Sequence, residues 1–197
     1  SLAILAEGKT VGLQVTSLSG SGDSLVYLER SILGTALNQT TSVVFDTALH
    51  MRRLDQDGTA QGQHTSIKIA YGSGRVRGTA TVPAAGGPKT TTIDTAVSET
   101  IIDDNAVQAI LPLLKWDVNT RWTFEVFSSG ENRIRTLTLT AADLTRIRVP
   151  AGEFECYRAD VTGGPQPLSF YVTSTAPHRV VKIELEHAPI EFVALNP

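Results

Sequence analysis

Apolar and polar residues alternate along most of this chain, and a period of two predicts β-strands rather than helices. The run Thr10-Val11-Gly12-Leu13-Gln14-Val15-Thr16 shows it first. Before it, Leu2 to Ala6 reads as a short helical turn or a simple lead-in, broken at Gly8-Lys9. Ser19-Gly20-Ser21-Gly22-Asp23 has turn chemistry, because Gly admits positive φ and Ser and Asp bond back to nearby backbone. Residues 24–33 then form a second strand. Residues 39–54 read as one long third strand, bent near Asp46-Thr47, with Thr41, Val43, Phe45 and Thr47 on one face and Val44, Asp46 and Ala48 on the other. Gln56-Asp57-Gly58 is expected to close it as a hairpin turn. Strands at 61–71 and 75–82 follow around Gly72-Ser73-Gly74, and 89–95 continues after a loop of Pro, Ala and Gly.

The pattern changes once. Asp103-Asp104-Asn105 offers capping side chains, and Val107, Ile110, Leu111 and Leu114 recur at helical spacing. Pro112 should end this helix near Ile110 or Leu111, leaving Leu113-Leu114 as an apolar plug. Beyond it, residues 120–127 place Trp122, Phe124 and Val126 on one strand face, and 133–140 alternates again until Ala141-Ala142-Asp143. Further extended runs follow the turn Pro150-Ala151-Gly152, with Pro177 as a stop between the last two. The expected fold is mainly β: a strongly curved antiparallel sheet or open β-barrel of about 11–12 strands, with one plugging helix near 103–114. Residues 1–197 are expected to form a single domain.

Composition narrows the function classes. A net charge of −3 offers no basic footprint for nucleic acid. No apolar run approaches the roughly 20 residues of a membrane span. The single Cys156 reads as a small buried strand residue. His50, His64, His178 and His187 stand far apart without metal-site spacing, so no metal and no cofactor is expected. Asp103-Asp104 reads as a helix cap rather than an acid–base pair. Gly72-Ser73-Gly74 and Gly163-Gly164 are not followed by helices, so they read as turns and not as phosphate loops. No nucleophile elbow occurs.

What remains is an apolar inner face. Trp122, Phe124, Phe154, Phe170, Leu111 and Leu114 are the residues expected to line a ligand cavity if the sheet leaves one. Asp46 and His50, placed by alternation on one strand face, are the polar interior candidates and the pair on which an enzymatic alternative would depend.

Leu111-Pro112-Leu113, Trp122-Thr123-Phe124, the segment Val149-Pro150-Ala151-Gly152-Glu153-Phe154-Glu155-Cys156-Tyr157-Arg158, Leu168-Ser169-Phe170-Tyr171-Val172 and Ala176-Pro177-His178-Arg179-Val180-Val181-Lys182 stand in an order that resembles a bacterial family of exported proteins known only as a domain of unknown function. The resemblance implies a curved sheet over a helix, similar to the half-barrels that carry lipoproteins between bacterial membranes. It also implies a periplasmic or cell-surface location, and no catalytic residue. The expected protein is therefore a noncatalytic exported domain binding a lipid, another amphipathic small molecule or an envelope protein; the alternative is a structural module with a filled interior.

Overall fold

The structure is a computed structural model and describes residues 1–196, Ser21 by its backbone alone. The alternation becomes strands β1 (Leu2–Ala6), β2 (Lys9–Ser21), β3 (Ser24–Leu33), β4 (Leu37–Asp46), β5 (Met51–Ala60), β6 (Gln63–Gly72), β7 (Arg75–Val82), β8 (Lys89–Ala96) and β9 (Ile102–Asp103). A helical segment follows, with α1 (Val107–Ile110) between single 3-10 turns at Asp104–Ala106 and Leu111–Leu113. Then come β10 (Arg121–Ser128), β11 (Arg133–Val149), β12 (Gly152–Thr162), β13 (Leu168–Thr173), β14 (Val180–Leu185) and β15 (Ile190–Ala194). Hydrogen bonds order them β8-β7-β6-β5-β4-β3-β2-β1-β15-β14-β13-β12-β11-β10-β9 in one open sheet. The ladders of β1 with β2 and with β15, those from β3 through β8 and those from β11 through β15 are antiparallel, whereas β9 meets β10 in a short parallel contact.

The chain is thus mainly β, with fifteen strands where the pattern suggests eleven or twelve. Two differences in the N-terminal half account for part of this, and a third moves a turn. Leu2–Ala6 is a strand paired on both sides, with β15 and with β2. The expected long strand 39–54 is two strands, because the chain reverses after Asp46 instead of bending there. Gln56-Asp57-Gly58 is no turn: all three lie inside β5, and the reversal comes at Gln61-Gly62, both at positive φ. In the other direction, Ala141-Ala142-Asp143 does not end a strand. It is a register shift within the 17-residue β11, a bulge that bends the strand without breaking it. The helix is shorter than expected. Leu111 is fully buried, whereas Leu113 is exposed and so is no part of a plug.

Close contacts group the chain into two compact units. The first comprises Ser1–Gln14, Val107–Phe124 and Arg135–Pro197. Its buried face is built from opposed residues Ala141, Ala159, Phe170, Ile183, Phe192 and Ile4, one per strand from β11 through β15 to β1. Such cross-strand neighbours share a face with Cβ atoms about 5 Å apart, which is how a period-two pattern turns into a core.

The second unit comprises Val15–Ala106 and Glu125–Ile134. Its corresponding row is Tyr27, Val43, Leu54, Ile69, Gly78 and Ile93, across β3 to β8. Val43 and Leu54 are fully buried, each contributing about 1.5–3 kcal/mol of hydrophobic stabilisation relative to exposure. Glycine interrupts the row at position 78 for a reason: a Cβ there would stand 2.0 Å from the Lys68 carbonyl oxygen.

Candidate functional site

The most unusual chemistry in the second unit is a pair of adjacent carboxylates, one buried and one half-buried, where β9 meets the helical segment. Asp103 is wholly buried. Its Oδ2 accepts a 2.6 Å hydrogen bond from the Tyr71 hydroxyl, and its Oδ1 accepts from the Asn105 amide at 3.0 Å, the Asn105 side chain at 2.7 Å and Ser129 at 3.3 Å. Asp104 Oδ2 accepts from the Ser128 hydroxyl at 2.7 Å, and its Oδ1 from Asn105 Nδ2 at 3.1 Å. Burial above all, and then the charge of Asp103, push Asp104 up to about 8. It keeps its proton at neutral pH, since two like charges at this separation cannot both ionise cheaply in a low dielectric. Burial and Asp103 also lift Tyr71 far above its ordinary range, so it stays a donor.

By sequence alone these acids read as helix caps. Asp103 does accept the Asn105 amide, but its main partner, Tyr71, lies 32 residues away and carries no local signal.

Tyr71 also borders a cavity of about 240 Å³ lined by His50, Met51, Arg52, Arg75 and Glu99 among others. Asp46 and His50 meet beside it, though not as same-face residues of one strand. Asp46 ends β4, and its Oδ1 accepts the amides of Ala48 and His50 at 2.9 Å each, which makes the turn. Its Oδ2 accepts from Arg52 at 2.6 Å and lies 3.3 Å from His50 Nδ1. The His50 amide first, with Ala48, the His50 ring and Arg52 behind it, holds the Asp46 carboxyl below the usual range against its modest desolvation. With all its acceptor positions engaged, Asp46 is fitted to hold a turn.

In the first unit Leu111, Leu114 and Trp122 come together around Trp116, a residue the periodicity did not single out. Trp116 Nε1 donates to the Leu111 carbonyl at 2.8 Å, and the Leu114 amide reaches the same oxygen at 3.3 Å. Trp122 meets Trp116 edge-on at 5.2 Å, and Tyr157 stacks on it at 5.6 Å. The other three expected lining residues lie elsewhere. Phe170 is buried in the β13 row, Phe154 is half-buried with the Arg179 guanidinium 4.9 Å over its ring, and Phe124 is half-buried on β10.

A larger cleft, about 620 Å³, opens in the first unit at the ends of β12 to β15, lined by Arg158, Ser169, Glu184, His187, Pro189 and Ile190 among others. Its polar side is held by a fixed network. Asp160 Oδ1 accepts from Ser169 at 2.6 Å and from Arg158 at 2.9 Å. Glu184 accepts from the Tyr171 hydroxyl at 2.6 Å, and Lys182 bridges it to Glu191 at 2.5 and 2.9 Å. Burial would raise the Glu184 carboxyl, but the hydrogen bonds from Lys182 and Tyr171 outweigh it and hold the carboxyl low. Burial and this carboxylate push Tyr171 up to about 12. The Ser169 hydroxyl donates to Asp160 and accepts from Arg158 at 3.4 Å, so it is tied into the same network. Among the described residues no group of three or more His, Cys, Asp or Glu is placed to hold a metal ion.

Residues 17–188 match the family model described as Protein of unknown function (DUF3108). The chain belongs to that family. No curated protein matches this DUF3108 chain. It is similar in fold to a β-barrel-like protein of domain of unknown function DUF1849 from Brucella abortus, with a TM-score of 0.52 over 98% of this chain and 92% of that one. Sequence identity is 9%, so the likeness is one of fold alone. Among the described residues no helix is long and apolar enough to cross a membrane.

Proposed function

We propose that the chain is a noncatalytic exported protein, periplasmic or at the cell surface, that binds an amphipathic small molecule in the first-unit cleft. The observation that carries this reading is the cleft's lining. Leu185, Pro189 and Ile190 give it an apolar side and Arg158 and Glu184 a charged one, in a volume of about 620 Å³. Ligand sites of roughly 300–1,000 Å³ combine apolar walls with a few placed polar groups in this way. Export and the envelope rest on the resemblance drawn from the Pro150-Ala151-Gly152 and Pro177 segments.

Native mass spectrometry of chain purified without detergent, with organic extraction of what it carries, tests the proposal. The expected result is a bound amphiphile that is lost from Ile190→Asp and from Arg158→Ala. A chain that carries nothing, and takes up no amphiphile when offered one, overturns it. The second reading, a packed structural or assembly module, is favoured by Phe170 and Leu111. Both are buried, and neither lines either cavity.

A further inference from the structure

On the buried face of the second unit, the apolar row through Tyr27, Val43 and Leu54 gives way, two residues along, to Glu29, Thr41 and Gln56 on the same three strands. The next row is Ser31, Gln39, Gly58 and Thr65. Ser31, Thr41, Gln56 and Thr65 are all buried, so this part of the interior is polar where a sheet face normally packs apolar side chains.

Two of its acceptors are under-supplied. Glu29 receives the Tyr27 hydroxyl at 3.0 Å and the Ser31 hydroxyl at 2.9 Å, and no cation among the described residues pairs with it. Gln56, 7% exposed, has a buried Oε1 with no hydrogen-bond partner. Buried polar atoms are nearly always paired, and one without a donor calls for an explanation. Burial, reinforced by the charge of Glu29, lifts Tyr27 far above its ordinary range, so that hydroxyl remains a donor to Glu29.

We propose that Glu29, Thr41 and Gln56 form a binding site for a primary ammonium group. Opposed residues on neighbouring strands lie about 5 Å apart at Cβ, so Glu29 and Gln56 flank Thr41 closely enough for both long side chains to reach one small group above it. A primary ammonium carries three donors and no acceptor. It meets the Gln56 oxygen, the Glu29 carboxylate and the second lone pair of the Thr41 hydroxyl oxygen, which already accepts from Gln39 Nε2 at 3.3 Å, and its charge complements Glu29. A quaternary ammonium has the charge without donors, and an alcohol has a donor without the charge. Glu29, Gln39 and Gly58 are only half-buried, which leaves an approach along the polar row. The inference concerns the second unit and does not rest on the cleft of the first.

Titration of ¹⁵N-labelled chain with n-butylammonium chloride, beside tetramethylammonium chloride and n-butanol at equal ionic strength, tests it. Saturable shifts of the Thr41 and Gln56 amide signals with butylammonium alone are expected. Glu29→Gln and Gln56→Leu should each weaken the binding by about tenfold or more. Glu29→Gln keeps the side-chain shape and answers by itself if Gln56→Leu disturbs the fold. The absence of saturation, equal shifts with either control, or an unchanged affinity in Glu29→Gln overturns the proposal.

Discussion

The hydroxyl of Tyr71 on β6 donates a 2.6 Å hydrogen bond to Oδ2 of Asp103 on β9, joining the centre of the second unit to a strand two residues long. Asp103 is fully buried, so removal of this donor leaves a carboxylate oxygen short of a partner in a place water does not reach. Tyr71→Phe changes little else, since the ring keeps its edge-on contact with Phe127. Such a loss costs about 1–3 kcal/mol, more for a charged acceptor than a neutral one. The urea midpoint of Tyr71→Phe should fall accordingly with an unchanged m-value. An unaltered midpoint would show that the bond contributes nothing net.

The neighbouring Asp104 sets a pH dependence of defined sign. An unfolded aspartate titrates near 4, whereas burial first, and the charge of Asp103 second, push Asp104 in the fold up to about 8. Between these values the folded chain holds a proton that the unfolded chain has released. Its contribution is complete below about 4 and is lost as pH rises toward 8, at up to about 1.4 kcal/mol per pH unit. Asp46, Asp94 and Glu184, all held low, act in the opposite sense and only in acid, where stability falls as they protonate. Urea unfolding in steps from about pH 5 to pH 8 should therefore show declining stability, and Asp104→Asn should flatten the decline. A variant with the parent's slope refutes the assignment.

Gly78 sits in the core row of the second unit at φ +147°, where an added Cβ would lie 2.0 Å from the Lys68 carbonyl oxygen. That oxygen is backbone in the adjacent strand and cannot swing aside. Gly78→Ala should cost about 3 kcal/mol or more, from close contact and backbone strain together. Gly62→Ala is the control: its φ of +74° is also left-handed, but nothing lies within 4 Å of the added carbon. Equal thermal shifts for the two variants would mean that strain, and not the close approach, is what selects glycine at position 78.

Much of the sheet was legible because alternation is set residue by residue. Residues 24–33 and 75–82 are strands with the bounds the pattern predicts. What misled were features whose cause lies across the sheet or in a side chain. The β4–β5 reversal has no Gly or Pro; Asp46 builds it by accepting two amides, and Leu49 takes a positive φ of 64°. Gly58 looked like a turn residue but lies within β5, where a Cβ would meet the Asn38 carbonyl oxygen at 2.1 Å. Close approach between strands, which glycine permits as readily as it permits turns, cannot be seen along one strand. The acid pair was hidden for the same reason, since Tyr71 enters from β6 and Ser128 and Ser129 from the end of β10 and the turn after it.

Cys156 offers a probe of the first unit. It lies on β12, opposite Thr145 of β11 and Thr173 of β13, and has no exposed surface. Burial pushes its thiol up to about 11, Arg179 pulling the other way and Glu155 adding to the rise. At pH 8 only about one thiol in a thousand would be thiolate, the reactive form, even with a reagent alongside. An aromatic disulfide reagent should thus label the native chain only as fast as the β11–β12–β13 segment opens, and label it at once in urea. Labelling should slow under any condition that raises the unfolding free energy, if opening and closing outpace the reaction. Complete native labelling within the mixing time would mean that Cys156 is accessible and that this part of the sheet is not closed around it.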